Sequence, residues 1–358
     1  MATRYWFGGT GNWNNTNTAN WSNTSGNSDL SAPQAAPVAG DTVIIDGNSG
    51  TGTISRTTAA VTIGSLDCTG YTGTLALGNF ATNVDTGNVK FASGMTVTTG
   101  TGALTFTGGV TQQLTTNGKT IGPLTSATAS NNVVLQDDCS CGVVTHTRGT
   151  IDLNGKTLTT SGNYSTTGTN TRVIAFGTGG VLALSGTATS FNIGAAGTSL
   201  TFSGTGLIRA TGNGVTFTTG ASVNLPAIEA VGVAGVFGPN ATFDVASTVS
   251  SLYIASTNTG AGAINFTQGL TVSGDLTLLS CIPSNPIAFK SGSAGVARTV
   301  TVNGVVRIEG ASITDITGAG GTWMAYGAAV DGGGNSGISF TVGNGRSSQP
   351  MLGMVQGV

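Results

Sequence analysis

The sequence predicts an all-β fold: a single-stranded, right-handed parallel β-helix, or solenoid, with capped ends. First, charged residues are only 7% of the 358 positions, so the residues that favour helices are scarce. Second, 59 glycines punctuate the chain, and glycine suits tight turns because it readily adopts positive φ. Third, apolar residues alternate with Thr, Ser and Asn over short segments, which is the pattern of half-buried strands.

A short motif recurs in the middle of the chain: alternating apolar and Thr or Ser residues closed by glycine. Examples are residues 104–108, 181–186, 200–204, 264–269 and 300–304. Their irregular spacing fits a solenoid with variable loops better than a propeller with a fixed period. Strands this short are not stable alone, but stacked coil upon coil in parallel they would bury a continuous core, and right-handed winding is favoured by the general rule for parallel crossovers. An antiparallel β-sandwich is the alternative.

The sequence divides into three predicted segments. Residues 1–50 form a Trp-rich N-terminal cap, residues 51–310 the solenoid body, and residues 311–358 a C-terminal cap with a docking tail. The two ends of a solenoid expose strand edges that invite association, so we expect large aromatic side chains to cover them. The predicted cap residues are Trp6, Trp13, Trp21, Trp323 and Tyr326.

The end of the chain is a candidate docking segment. Met351, Leu352, Met354 and Val355 are apolar, and the tail that carries them has no core of its own. One interpretation is a final strand or a frayed end. The other is a docking peptide that adds a strand to the sheet of a neighbouring protein.

Charge and composition exclude several classes of partner. A net charge of -2 offers no phosphate-binding surface, so no nucleic acid is expected as a partner. No stretch approaches 18 apolar residues, and the apolar run of a signal peptide does not follow Met1. We therefore expect no membrane association, and assembly in the cytoplasm of a host cell.

No catalytic, metal-binding or cofactor-binding constellation is predicted. Glycoside hydrolysis needs two carboxylates about 5 to 9.5 Å apart, but the 14 acidic residues are thinly spread. Glu229 and Asp244 are a candidate pair only if the fold brings them together across a coil. Cys139 and Cys141, with His146 nearby, resemble part of a metal site, but a strand points both cysteines the same way, so burial in the core explains them. No cofactor is expected.

Three stretches resemble parts of one protein family. They are RYWFGGTGNW at residues 4–13, GTIDLNGKTLT at residues 149–159 and GGTWMAY at residues 320–326. Together they resemble the opening, the solenoid strands and the closing segment of large Gly/Thr-rich virion proteins of tailed bacteriophages. The resemblance implies a structural component of a virus particle, and it implies no catalytic residue.

These observations lead to one functional hypothesis and two alternatives. The leading hypothesis is a non-enzymatic bacteriophage virion surface protein that decorates the capsid, with other capsid or tail proteins as partners. The first alternative is a tail fibre or spike adhesin that binds host surface polysaccharide, for which Tyr71, Tyr164 and Tyr253 are the candidate exposed aromatics. The second is a polysaccharide-degrading tailspike. All three imply a location on the virion surface; a homo-oligomer and a host glycan stay open as partners.

Overall fold

The computed structural model describes residues 1–13, 19–26, 34–57, 59–166, 168–194, 199–219, 223–231, 240–244, 247–256, 262–280 and 286–341. These residues form a parallel β-helix, which confirms the fold class predicted from the sequence. The alternative, an antiparallel β-sandwich, does not form. Among the described strands, the one antiparallel pairing is at the N-terminal end, where Tyr5 lies opposite Ser22 and Trp6 opposite Trp21.

Most strands are short and separated by tight turns or loops, whereas β15, β17, β20 and β22 are 9 to 13 residues long and each continues from one face to the next. In chain order they are β1 (Thr3–Trp6), β2 (Gly11–Asn12), β3 (Trp21–Ser22), β4 (Thr42–Ile44), β5 (Thr53–Ser55), β6 (Val61–Ile63), β7 (Ser65–Asp67), β8 (Thr74–Gly78), β9 (Thr82–Val84), β10 (Val89–Lys90), β11 (Thr96–Thr99), β12 (Leu104–Phe106), β13 (Gln112–Thr115), β14 (Thr120–Ile121), β15 (Leu124–Leu135), β16 (Cys139–Cys141), β17 (Val144–Asp152), β18 (Thr157–Thr160), β19 (Tyr164–Ser165), β20 (Arg172–Leu184), β21 (Ser190–Gly194), β22 (Leu200–Ala210), β23 (Val215–Thr219), β24 (Asn224–Leu225), β25 (Ala227–Val231), β26 (Asn240–Phe243), β27 (Ser247–Val249), β28 (Leu252–Ser256), β29 (Ala263–Phe266), β30 (Leu270–Val272), β31 (Leu276–Ser280), β32 (Ile287–Ser291), β33 (Arg298–Val302), β34 (Val306–Glu309), β35 (Ala311–Thr314), β36 (Ile316–Gly320), β37 (Trp323–Tyr326), β38 (Val330–Asp331) and β39 (Ile338–Phe340). A 3-10 turn spans Gly47–Ser49.

Each coil contributes strands to three faces. The first face contains β1, β4, β7, β10, β13, the second halves of β15 and β17, the first halves of β20 and β22, and then β24, β27, β30, β33 and β36. The second face contains β2, β5, β8, β11, β14, β16, β18, the second halves of β20 and β22, and then β25, β28, β31, β34, β37 and β39. The third face contains β6, β9, β12, the first halves of β15 and β17, and then β19, β21, β23, β26, β29, β32, β35 and β38.

The coils differ in length, but their strands keep a parallel register. Trp323 pairs with Ile338, 15 residues further along the chain, whereas Leu276 pairs with Val306, 30 residues further along. The loops between faces absorb this difference. A sequence with variable loops and constant strands therefore has a recurring motif but no fixed period.

Alternation along each strand places one set of side chains in a narrow core. On the third face this core contains a file of stacked rings from successive coils, with neighbouring centroids 4.8 to 6.2 Å apart. The rings belong to Tyr164, Phe191, Phe217, Phe243, Phe266 and Phe289. Each such contact contributes about 0.5–1.5 kcal/mol beyond burial of the ring area. Because each ring contacts the next coil, the file helps to hold the coils in register.

Glycine has a second use at the corner between the second and third faces, besides its positive φ at turns. A Cβ added to Gly186 would lie 1.8 Å from the carbonyl oxygen of Ser161, and one added to Gly212 would lie 1.9 Å from the carbonyl oxygen of Gly186. Successive backbones therefore pass too closely here for any side chain. This contact between coils explains part of the high glycine content.

Candidate functional site: a charged and aromatic patch

The three N-terminal tryptophans lie together at the start of the solenoid. Trp6 and Trp21 are fully buried and meet edge to face with ring centroids 5.1 Å apart; Trp13 contacts Trp21 in the same way at 5.5 Å. The buried guanidinium of Arg56 lies 5.3 Å from the ring centroid of Trp13, a cation–π distance. Burial lowers the pKa of Arg56 to about 10. The group is therefore part of the core of the first coils.

The two residues predicted to cap the C-terminal end point in different directions. Trp323 is buried, and its indole N–H donates to the carbonyl oxygen of Ala319 at 3.1 Å. Tyr326, three residues later on β37, is 42% exposed. Trp323 therefore contributes to the core and Tyr326 to the surface. The predicted docking residues Met351, Leu352, Met354 and Val355 lie outside the described residues.

The cysteine and histidine residues are core residues. Cys139 and Cys141 are free thiols that face the core from β16, and burial raises the pKa of Cys141 to about 12, which disfavours the thiolate that binds metals. His146 is fully buried; its Nε2–H donates to the carbonyl oxygen of Gly149 at 2.8 Å, and its Nδ1 accepts from the Tyr164 hydroxyl at 3.1 Å. Within the described residues, no group of three His, Cys, Asp or Glu side chains is placed to bind a metal.

The charged side chain of Arg172 lies near the buried imidazole of His146. Arg172 is fully buried, and it donates hydrogen bonds to the carbonyl oxygen of Asn170 at 3.0 Å and to the hydroxyl of Ser199 at 2.6 Å. Burial lowers the pKa of His146 to about 4, and the positive charge of Arg172 acts in the same direction. The imidazole is therefore neutral at pH 7 and serves as a structural hydrogen-bonding group.

Aspartates serve mainly as hydrogen-bond acceptors in the turns and between the coils. Asp137 accepts from the backbone N–H of Thr116 in the preceding coil, and Asp138 accepts from that of Thr157 in the next coil, both at 2.8 Å. Every described aspartate accepts a hydrogen bond from a backbone N–H or a hydroxyl: Asp41, Asp46, Asp67, Asp85, Asp137, Asp138, Asp152, Asp244, Asp275, Asp315 and Asp331. These carboxylates stabilise turns and join coils.

The candidate carboxylate pair of Glu229 and Asp244 does not form. Glu229 points outward from β25 on the second face, where Arg209 pairs with it. Asp244 follows β26 on the third face, where it accepts a hydrogen bond from the Thr267 hydroxyl at 2.6 Å. The two carboxylates are on different faces because β25 and β26 turn a corner of the coil.

The outward surface of the third face is neutral over most of the solenoid. One file of half-buried polar side chains runs from coil to coil in register: Thr62, Asn83, Thr105, Thr125, Thr145, Ser165, Asn192 and Thr218. Hydroxyls and amides of this kind suit a pleated surface in contact with water. This face presents no charge along that file.

The second face changes character along its length. In the coils of β14, β16, β18 and β20, which we call the lower coils, the residues of its outward file are small and neutral: Thr120, Ser140, Thr159 and Ala183. In the coils from β22 onward, which we call the upper coils, the same file continues with Arg209, Glu229, Tyr253, Thr277 and Arg307. The neighbouring file on the same strands ends with Glu309 and Tyr326. We call these seven residues, from Arg209 to Tyr326, the second-face patch.

Charged and aromatic groups of the second-face patch are accessible. It contains both glutamates of the chain. Glu229 accepts from Arg209 Nε at 2.6 Å, and Glu309 accepts from Arg307 at 3.2 Å. Tyr253, on the coil after Glu229, is 38% exposed. Glu229 and Glu309 are three coils apart, about 14 Å at the usual strand spacing, which is beyond the separation that glycoside hydrolysis requires.

Two of the three tyrosines predicted to be exposed are core residues. Tyr71 and Tyr164 are fully buried. Their hydroxyls are satisfied inside the protein, that of Tyr71 by the carbonyl oxygen of Gly52 at 2.7 Å and that of Tyr164 by His146. The prediction was wrong for these two because a tyrosine whose hydroxyl finds a partner packs in the core like phenylalanine. It is correct for Tyr253.

The fold and the second-face patch together define a class of protein: a β-helix that carries an exposed charged and aromatic patch on one face. Comparison with protein-family models, with curated proteins and with solved structures finds no match to this chain. The part of the chain that the structure describes holds no helix with the length and hydrophobicity needed to cross a bilayer.

Sequence reasoning missed the patch as a unit, although a signal for it exists. Each residue of the central file, from Arg209 to Arg307, stands between two apolar residues, as in Ile228-Glu229-Ala230 and Leu252-Tyr253-Ile254. Aligning such triplets would have placed their central residues in one file. Variable loop lengths hide this alignment, because the triplets recur at unequal intervals.

Proposed function

We propose that this protein is a non-enzymatic surface component of a bacteriophage particle that decorates the capsid. The observation that carries the non-enzymatic part of the proposal is the use of the acidic residues. The described aspartates accept hydrogen bonds from backbone or hydroxyl donors in turns and between coils. The two glutamates lie three coils apart, and each pairs with its own arginine. Such an arrangement supports a scaffold rather than an acid–base pair.

The β-helix supports the structural part of the proposal. Parallel register, stacked rings and hydrogen bonds between coils give a stiff body with an accessible surface. The Gly/Thr-rich stretches at both ends and in the middle resemble virion proteins of tailed bacteriophages. A stiff body with one charged and aromatic patch suits attachment to a regular lattice of other virion proteins.

Immunogold electron microscopy of intact particles tests the location. We expect an antibody against this chain to label the heads evenly. Label confined to the tail would replace capsid decoration with a tail function. An antibody that recognises the denatured protein but labels no part of the particle would contradict the virion proposal.

A tail adhesin for host polysaccharide is the second candidate, and the exposed tyrosine of the patch favours it. Tyr253 has a carboxylate on the coil before it and a hydroxyl, Thr277, on the coil after it. An aromatic ring with flanking polar groups suits a ligand with apolar and hydroxyl surfaces. Binding of purified host polysaccharide that is lost in Tyr253→Ala but kept in Tyr5→Ala would support this candidate.

The non-enzymatic assignment has its own test. We expect no depolymerisation of host polysaccharide by the purified protein. If turnover is found and Glu229→Gln abolishes it, while the matched variant Glu309→Gln retains it, the protein is an enzyme and the proposal is wrong.

A further inference from the structure

The order of side chains along the second-face patch is unusual. From coil to coil the central file contains a positive residue, a negative residue, Tyr253, Thr277 and a second positive residue, the charges being Arg209, Glu229 and Arg307. The neighbouring file contains apolar residues in the middle, followed by a carboxylate and an aromatic ring: Val231, Ala255, Leu279, Glu309 and Tyr326. The centre of the patch is therefore uncharged and its flanks are charged.

The second-face patch is complementary to the same patch on a second molecule whose solenoid axis runs in the opposite direction. Consider a twofold axis that runs parallel to the strands, midway between the coils of Tyr253 and Thr277. Glu229 lies one and a half coils to one side of this axis, and Arg307 lies one and a half coils to the other side. Rotation about the axis therefore places Glu229 of each copy opposite Arg307 of the other.

Most of the remaining positions are also compatible; the exception is Glu309, which the rotation places opposite Val231 and which keeps Arg307 of its own copy as its charged partner. The same rotation places Ala255 opposite Leu279, so an apolar side chain meets an apolar one. It places Tyr253 opposite Thr277, and Arg209 at the level of Tyr326, where a guanidinium and a ring attract each other. We propose that the second-face patch is the interface of a homodimer in which the two solenoids pack face to face with their axes inverted.

A second copy of this protein suits the patch better than a partner whose surface carries charges of only one sign. The patch carries two arginines and two glutamates, so it offers no net charge to an acidic or a basic surface. An isologous interface places each group opposite a group of an identical surface, and the inverted order supplies complements for the charges of Glu229 and Arg307 and for the apolar side chains of Ala255 and Leu279. Tyr and Arg are also the residue types enriched in protein interfaces.

The internal ion pairs do not prevent these contacts. Glu229 is bonded to Arg209, but a carboxylate has two oxygens and accepts several hydrogen bonds, so it can also accept from Arg307 of a second copy. The side chain of Arg307 is 58% exposed, and that of Glu229 is 26% exposed. Both charged groups are therefore accessible from outside.

The size of the patch sets the expected affinity. Five coil spacings and strands of five residues give a face of about 24 by 17 Å, or about 400 Å² per copy. A standard interface buries about 800 Å² per partner. The dimer is therefore expected to be weak, with a dissociation constant in the micromolar range or above, and to weaken with salt because its charges are at the surface. A particle surface that holds copies side by side would raise their effective concentration.

The test is a charge exchange measured by sedimentation velocity over a range of concentrations at low salt. We expect wild-type protein to dimerise, and Glu229→Arg or Arg307→Glu alone to weaken dimerisation at least tenfold, since each places like charges opposite each other twice. An equimolar mixture of the two variants restores opposite charges at both contacts. We expect that mixture to associate within about threefold of wild type.

The control changes charge on another face. Lys290→Glu lies on the third face and is exposed, so it should leave dimerisation unchanged. Circular dichroism and thermal melting check that each variant is folded. The proposal is overturned if wild-type protein is monomeric throughout, if the single variants dimerise like wild type, or if the mixture associates no better than either variant alone.

Discussion

The lower and upper coils of the second face share one backbone arrangement but present different surfaces. Inward residues are equivalent: Leu158 in the lower coils and Leu278 in the upper coils are both fully buried. Outward residues differ, with Ser140 and Thr159 below and Glu229 and Tyr253 above. The comparison teaches that the inward file determines the fold, while the outward file is free to carry an interaction surface.

The largest expected effect is on the inward file, and it should be equal in both regions. Leu158→Ala and Leu278→Ala each remove a fully buried side chain. We expect each to lower the free energy of unfolding by about 2–5 kcal/mol, because the cavity is only partly filled by relaxation. Chemical denaturation measures this. A cost below about 1 kcal/mol for one variant but not the other would show that the two regions are not equivalent scaffolds.

The second-largest effect is a loss of stability at low pH in the lower coils, because their core contains the titratable side chain of His146. Burial lowers the pKa of His146 to about 4 in the folded protein against an ordinary value near 6.5, and the titratable or charged groups beside it are the Tyr164 hydroxyl and Arg172. The unfolded chain binds the proton more readily, so stability present above pH 6.5 is lost as the pH falls toward 4. The loss should reach about 3 kcal/mol.

Hydrogen exchange between pH 7 and 4 measures this difference. We expect strands β17 and β19 to lose protection before β29 and β32, whose core positions hold phenylalanines. His146→Gln should reduce the pH dependence. Equal loss of protection in all four strands would contradict a local role for the histidine.

The third effect is at the corner between the second and third faces, where Gly186 of the last lower coil contacts Gly212 of the first upper coil. Gly212→Ala places a Cβ against the carbonyl oxygen of Gly186, so we expect a loss of about 1–3 kcal/mol in the free energy of unfolding. Gly94→Ala is the matched control, since its Cβ would meet the Thr72 methyl group at 3.4 Å and the carbonyl oxygen of Tyr71 at 3.9 Å, both ordinary contact distances. Thermal or chemical denaturation compares the two. Equal costs would mean that close backbone approach does not determine the corner glycines.

The smallest effect is expected on the outward file. Ser140→Ala in the lower coils and Glu229→Gln in the upper coils should each change the free energy of unfolding by less than about 1 kcal/mol, because exposed ion pairs contribute little. Denaturation at concentrations where the protein is monomeric measures both changes. A larger loss of unfolding free energy for Glu229→Gln would show that the patch has a structural role.

Prediction from sequence was most reliable for the fold class and least reliable for the direction of individual side chains. Composition and the short alternating motif indicate an all-β fold and favour parallel stacked strands over an antiparallel sandwich, because stacking coil upon coil lets such short strands bury a continuous core. Tyr71 and Tyr164 illustrate the limit. Whether a tyrosine faces inward depends on its strand register and on a partner for its hydroxyl, and here those partners are Gly52 and His146.

The sequence by itself determined that this chain is an all-β protein of short strands and favoured a β-helix over a sandwich, since charge is scarce, glycine abundant and apolar residues alternate with polar ones. Only the tertiary structure decided which residues share a surface. Arg209 and Glu229 are 20 positions apart, yet they meet at 2.6 Å because one coil separates them. Loops of unequal length set that spacing, so the second-face patch becomes visible only when the coils are stacked.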